Sequence, residues 1–396
     1  MRITEVQERT VTLSRYSDRS IASGRLTTSL IAVVTDVVRG GRPIVGLGFA
    51  SVGRFGQCGL LRERFIPRIL AAPDEAFRHS SENNIDPFRV WNVMMAGEKA
   101  GGHGERCVAV GAVDMALWDA SAKISDEPLH VHLRRRLGRR ETGPRRVPVY
   151  GAGGYPYPNE DLFRLSDEIR RFREVGFERV KIKVGASSLD ADLRRIDLAV
   201  AGMGSSEKVA IDAMNSYSAE TAELAGTAFG KMNLWWFEDF CDPLDFDTHR
   251  RMAGMYPGAL ATGEALFSLA EAKLLQSYGG LRQGKDVLVF DPVHCYGLPG
   301  FMEILNYLVS RGWPRSAFWP HGGHLFCLHL VAALDLGGAE VNPFGFQPFC
   351  GLPSSLLGGL GFAELPEAPG IGFELRADTR SAYKTAFPGL LDDRVR

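Results

Sequence analysis

At 396 residues the chain is longer than one hydrophobic core usually serves, so two structural units are expected, one of them large enough to be a barrel. Hydrophobic residues at 45% and charged residues at 23% are ordinary for a globular protein and exclude fibrous and disordered classes. The 46 basic and 47 acidic residues nearly cancel, and no long basic run with interleaved aromatics occurs, which argues against nucleic acid and for a small substrate.

The amino end, MRITEVQERTVTLSRYSDR, alternates apolar and polar residues and lacks the unbroken apolar stretch of a signal peptide. No apolar run approaches membrane-spanning length. The six cysteines are scattered without CxxC spacing, as reduced thiols are, so a cytoplasmic protein without a structural zinc is expected.

From Ile3 to Ala50 the pattern is strand-like, with Thr28–Val34 and Ile44–Phe49 flanking the turn Arg39-Gly40-Gly41-Arg42. From about Arg62 to Ile124 the period becomes helical, and Val110, Val113, Ala116, Leu117 and Ala120 share a face. Strands followed by helices predict an α+β domain over residues 1–145.

From Val147 onward short apolar stretches alternate with helical segments, the first of them stopped at Gly176. Predicted strands end at Lys183, Asp212, Glu238, Glu264, Asp291 and His321, spaced 26 to 30 residues apart, about what a strand, a crossover helix and their loops require. So steady a period describes either a closed (β/α)8 barrel or an open doubly wound sheet. Ionisable residues at every strand end favour the barrel, whose active sites gather at the C-terminal ends of its strands. The fold class expected is therefore α/β, a modified (β/α)8 TIM-type barrel over residues 146–359 behind the α+β domain.

Asp212, Glu238 and Glu264 end three consecutive strands. Taken singly each reads as a loop carboxylate or helix cap; in phase, their mutual repulsion calls for a hard divalent cation, and all-oxygen ligation suits Mg2+. Lys181 and Lys183 lie two apart and share a strand face, so each should lower the other's proton affinity and bring a lysine toward general-base use. Asp291 and His321 end neighbouring strands, where a carboxylate fixes the imidazole tautomer. His324 and His329 read as helix residues behind the site, and His103 is unassigned. Glu340 falls at the eighth strand, either hydrogen-bonding a substrate carboxylate or as an ordinary surface glutamate. Acid/base groups on strands two and seven, around a metal, specify removal of a hydrogen beside a carboxylate followed by loss of hydroxide.

The set Lys181-x-Lys183, Asp212, Glu238, Glu264, Asp291 and His321, behind an α+β domain, resembles the mandelate racemase group of the enolase superfamily. Within that group it is most similar to the D-tartrate dehydratase family, through Thr27-Thr28-Ser29-Leu30, Glu98-Lys99, Gly101-Gly102-His103-Gly104-Glu105-Arg106, Ala261-Thr262-Gly263-Glu264 and Pro320-His321-Gly322-Gly323-His324. The resemblance implies a capping domain made of residues 1–145 and a returning tail from about 360 to 396. It further implies Mg2+ on Asp212, Glu238 and Glu264, Lys183 as base, His321 supported by Asp291 as acid, and a homo-oligomer. It also makes Arg54, in the stretch Ser51–Phe55, and Lys99 substrate-binding candidates. The expected activity is dehydration of a small hydroxy-dicarboxylate or acid sugar, D-tartrate-like, to a 2-oxo acid. The alternatives are a racemase or epimerase on the same site, or a non-catalytic binding protein. Two positions depart from the family: Met214 stands where its members carry Asn, and Ala265 where an amide is common.

Overall fold

The computed structural model describes residues 1–78, 83–139 and 143–391. An antiparallel sheet opens the chain, in the order β1 (Ile3–Thr12), β2 (Thr27–Arg39), β3 (Arg42–Phe49). Gly40 and Gly41 both take positive φ, 60° and 80°, in the turn that pairs Arg39 with Arg42. Two consecutive left-handed residues make the tight hairpin whose twist matches its strands, and glycine adopts them without Cβ strain. β2 is buried on both faces, so its apolar run is continuous rather than alternating. Leu30, Ala32 and Val34 join one apolar cluster, Ile31 and Val33 another.

The helix Glu105–Ser125 is buried without a break from Cys107 to Ala122, so its apolar residues surround it instead of forming one stripe. Glycine lets it come this close to its neighbours. A Cβ on Gly46 or Gly48 would strike the helix backbone at Ala112 and Ala116, and one on Gly111 would strike Val293. The helix is thus clamped between β3 and the loop that follows Asp291, with Asp114 Oδ2 accepting from the Leu298 N–H at 2.7 Å.

The second unit is the expected parallel ring. β4 (Arg146–Gly153), β5 (Val180–Lys183), β6 (Val209–Asp212), β7 (Phe237–Glu238), β8 (Leu260–Thr262) and β9 (Val287–Leu288) pair in sequence order, and β10 (Ala339–Val341) returns to pair with β4. A short hairpin, β11 (Leu357–Gly359) and β12 (Phe362–Glu364), lies antiparallel along the other side of β4. The stretch Ala317–His321, expected as the seventh strand, makes only one bridge, between Phe318 and Leu288. Pro320 has no N–H to give a ladder, which leaves Trp319 and His321 to donate to Leu288 and Val289. Single hydrogen bonds, Gly337 N–H to Phe318 and Asn342 N–H to Gly323, link this stretch toward β10, so the ladder is interrupted there. Inside the ring Tyr150, Trp236 and Val289 pack together, with Tyr150 and Trp236 ring centroids 5.1 Å apart, and floor the mouth above them.

Among the described residues no helix is long and apolar enough to cross a membrane. The close contact at Gly46 yields a stability prediction. Gly46→Ala introduces a methyl group against the Ala116 carbonyl and should destabilise the fold by about 1–3 kcal/mol, the usual cost of overpacking, read as a lower thermal midpoint. Gly59→Ala, whose Cβ meets no atom within 4 Å, should leave the midpoint within experimental error.

Candidate active site

Parallel register sets the first row of the site. Lys183 pairs with Asp212 and Asp212 with Glu238, so three ionisable side chains leave adjacent strands at one level of the barrel mouth. Glu264 follows β8 after Gly263, whose φ of 133° turns the chain there. Oxygens of Asp212, Glu238 and Glu264 lie within 4.8 Å of one another.

Asp212 and Glu238 are fully buried, and Glu264 is more open. Burial pushes Glu238 up to about 7; Asp212 and Glu264 reinforce the rise against the pull of Lys181. Its neighbour Asp239, buried and crowded by the same carboxylates, rises well above the usual range, and neither of its oxygens finds a hydrogen-bond partner. Glu264 Oε2 lies 3.3 Å from His321 Nε2 but makes no hydrogen bond with it. Three converging carboxylates, with Glu264 Oε2 unpartnered among the described residues and no nitrogen or sulfur ligand in the set, fit a hard divalent cation of the Mg2+ kind.

The two lysines differ from expectation in one respect. Lys181 Nζ is completely buried and ion-pairs with Glu238, with Glu340 at 2.8 Å and with Asp212 at 3.7 Å; Lys183 Nζ ion-pairs with Asp212. Burial alone would lower both. The facing carboxylates outweigh burial and the repulsion between the lysines, so both are held above the ordinary lysine value. Lys181 does lower Lys183, as expected, but the net shift is upward in the arrangement without a cation, which corrects the expectation of a lysine brought toward general-base use by its neighbour alone. Glu340 is no surface glutamate: it is buried, accepts from Tyr150 Oη at 3.0 Å and Asn342 Nδ2 at 2.8 Å, and pairs with Lys181.

Opposite the lysines, His321 Nδ1 lies 2.9 Å from Asp291 Oδ2. Burial opposes charge on His321, but Glu264 first and then Asp291 raise it to about 9. Asp291 stays well below the usual carboxylate range: burial opposes this, but His294 and His321 outweigh it. Ser51 Oγ, from the segment after β3, donates to Asp291 Oδ2 at 2.7 Å and meets His324 Nε2 at 3.1 Å. His324 stands at the N-cap position of the helix Leu325–Leu334 without a side-chain capping bond, close to the site rather than remote from it, while His329 within that helix bonds the Ile371 carbonyl. Arg54 lies 4.8 Å over the Phe267 ring near His294. Lys99 is exposed, and among the described residues no hydrogen bond or ion pair joins its side chain to this cluster. His103 bonds the Tyr296 hydroxyl at 3.1 Å. Sequence reasoning missed Asp239, His294 and the contact of Ser51; tandem Glu238-Asp239 and Asp291-x-x-His294 were the available signals.

Comparison with known proteins agrees with this geometry. The family model described as enolase C-terminal domain-like matches residues 164–379. The chain belongs to this family, and so to the enolase superfamily. Similar family members include an arabinonate dehydratase of Saccharolobus solfataricus, 27% identical over 74% of this chain and 77% of its own. An L-talarate/galactarate dehydratase of Salmonella typhimurium is 27% identical over 81% of this chain and 75% of its own. Among solved structures, an L-talarate dehydratase from Polaromonas sp. JS666, complexed with Mg and L-glucarate, superposes with a TM-score of 0.67. It is 23% identical and covers 92% of this chain and 94% of its own, a likeness of fold.

A histidine whose proton affinity is raised by folding stabilises the folded state fully below its unfolded value, and loses that contribution as pH rises through its folded value. For the cation-free protein, the contribution of His321 should be complete below about pH 6.5, the unfolded histidine value, and fade as pH rises through about 9. The thermal-midpoint difference between wild type and His321→Asn, followed from pH 6 to 10, should shrink across that window; a constant difference would contradict it.

Proposed function

We propose that the chain is a Mg2+-dependent carbon–oxygen lyase that dehydrates a small hydroxy-dicarboxylate or acid sugar to a 2-oxo acid. The observation that carries this reading is the flanking of the carboxylate trio, with Lys183 against its first member and His321 beside its third. Asp212, Glu238 and Glu264 would hold the ion. When bound, Mg2+ supplies positive charge that acidifies the hydrogen beside the substrate carboxylate and competes with Lys183 for Asp212.

Lys183 Nζ, in its neutral form, takes the α-hydrogen. The electron pair left on the α-carbon forms a double bond to the β-carbon as the β-hydroxyl departs. His321, in its protonated form, gives its Nε2 proton to that hydroxide, and water leaves. Asp291 keeps the proton on Nδ1 and the ring aimed inward. The enol then takes a proton at the β-carbon and becomes the oxo acid. Lys181 and Glu340 surround the substrate carboxylate end as a buried ion pair, and Arg54 and Lys99 stand as candidates for the distal end.

Two relatives bear the names of acid-sugar dehydratases, which supports the substrate class. D-tartrate itself rests on sequence resemblance. Met214 and Ala265 put apolar side chains beside Asp212 and Glu264, and the Asn215 amide is engaged by the Cys241 carbonyl at 2.8 Å instead of supplying the missing polar group. Such a rim favours a substrate other than D-tartrate from the same class. We also read residues 1–145, with the tail from about 360, as the cap over the barrel of residues 146–359. In support, Tyr383 Oη bonds the Gly48 carbonyl.

The test is a panel of stereoisomeric tartrates, malates, aldarates and aldonates, with Mg2+ and after chelation, scored for 2-oxo acid. One isomer should give product, lost on chelation, and Lys183→Ala should lower its kcat by about 10²–10⁴. Solvent deuterium entering the α-carbon without oxo acid would replace the dehydratase reading with an epimerase. Mg2+ binding with neither exchange nor product would indicate a binding protein.

A further inference from the structure

Asp291 Oδ2 faces more donors than it serves. Ser51 Oγ reaches it at 2.7 Å and His321 Nδ1 at 2.9 Å, while His294 Nε2 stands off at 3.6 Å. His294 is 1% exposed, and among the described residues its Nε2 has no hydrogen-bond partner. The ring has little freedom to turn away. Its backbone N–H is tied to Asp291 Oδ1 at 3.3 Å, Nδ1 lies 3.5 Å from the Glu264 carbonyl, and the His321 and Phe267 rings are 5.6 and 6.0 Å away.

One ligand atom from each of Asp291, His294 and His321 lies within 4.8 Å of the other two. Ligands about 2.0–2.1 Å from a tetrahedral ion are separated by about 3.4 Å. The 2.9 and 3.6 Å separations from Asp291 bracket that spacing.

We propose that Asp291, His294 and His321 form a second cation site, selective for a borderline transition ion such as Zn2+, whose occupation takes His321 out of acid chemistry. The two adjacent sites differ in donor type. Two imidazole nitrogens and one carboxylate oxygen favour Zn2+ or Co2+, whereas the all-oxygen trio favours Mg2+. Mg2+ saturation of the trio therefore leaves the nitrogen site free. An ion on His321 Nδ1 displaces the proton that Asp291 holds there, and removes the imidazolium needed to protonate a leaving group.

The experiment titrates the metal-stripped, Mg2+-saturated full chain with Co2+, followed by calorimetry and visible absorption. Wild type should bind one Co2+ that Mg2+ does not displace, with the strong visible bands of a low-symmetry nitrogen-ligated ion. His294→Gln and His294→Ala should lose that equivalent while keeping the Mg2+-displaceable one, which also shows that the variants fold. No equivalent beyond the Mg2+-displaceable one in wild type overturns the proposal, as does a second equivalent that persists in both variants. This binding readout needs no substrate, so it fails or succeeds apart from the dehydratase reading. With a substrate in hand, Zn2+ should inhibit at saturating Mg2+. The half-inhibiting concentration should rise about 100-fold in His294→Gln with basal turnover kept; equal inhibition of both proteins would overturn the proposal.

Discussion

The register of a parallel ladder brings Lys183, Asp212 and Glu238 to one level, and everything else at the barrel mouth answers the charge this creates. Carboxylates on adjacent strands cannot all stay ionised and buried without positive charge between them. Lys181 supplies part of it from below, contacting Asp212, Glu238 and Glu340 at once. Tyr150 and Trp236 close the floor under that ammonium, and Trp236 Nε1 donates to Glu238 Oε2 at 2.7 Å. Oxygens of Glu264 and Asp239 are left without a hydrogen-bond partner among the described residues. On the proposed reading, a divalent cation held by Asp212, Glu238 and Glu264 supplies the remaining positive charge.

The opposite wall depends on helix packing. Because Gly46, Gly48 and Gly111 carry no side chains, the helix Glu105–Ser125 fits between β3 and the chain after Asp291. The same closeness brings Ser51, just beyond β3, within hydrogen-bonding distance of Asp291. Ser51 itself sits at φ 57°, an unusual conformation for a residue other than glycine, held while its hydroxyl is engaged by Asp291 and His324. The N-terminal sheet therefore contributes directly to the hydrogen bonding of the His321 partner, and the two units share one polar network.

Much of this was legible in the sequence because a parallel barrel converts chain period into spatial alignment. Strand ends spaced 26 to 30 residues apart identified Asp212, Glu238 and Glu264 as neighbours without any knowledge of distance. The seventh strand was misjudged, since apolar patterning over Ala317–His321 does not register that Pro320 withholds a donor. Contacts such as Ser51 with Asp291 join residues 240 positions apart and leave no local trace. The proton affinity of the lysines was misjudged for another reason. Spacing revealed that Lys181 and Lys183 share a face, but their balance depends on carboxylates from β6, β7 and β10, whose distances only the folded ring sets.

The two ends of the site are coupled through Glu264. It is at once the third member of the oxygen cluster and the strongest upward influence on His321. A cation that draws on Glu264 therefore weakens its hold on His321 and leaves Asp291 as the principal partner of the imidazole. On the other flank the same cation competes with Lys183 for Asp212. One positive charge in the middle would thus lower the proton affinity of both flanking groups by the same Coulombic mechanism. In its absence the lysine and the histidine are both charged at neutral pH, and neither can accept a proton. On the proposed reading, loading of the oxygen cluster is what gives the site a base, which would tie proton abstraction to metal occupancy before any substrate arrives.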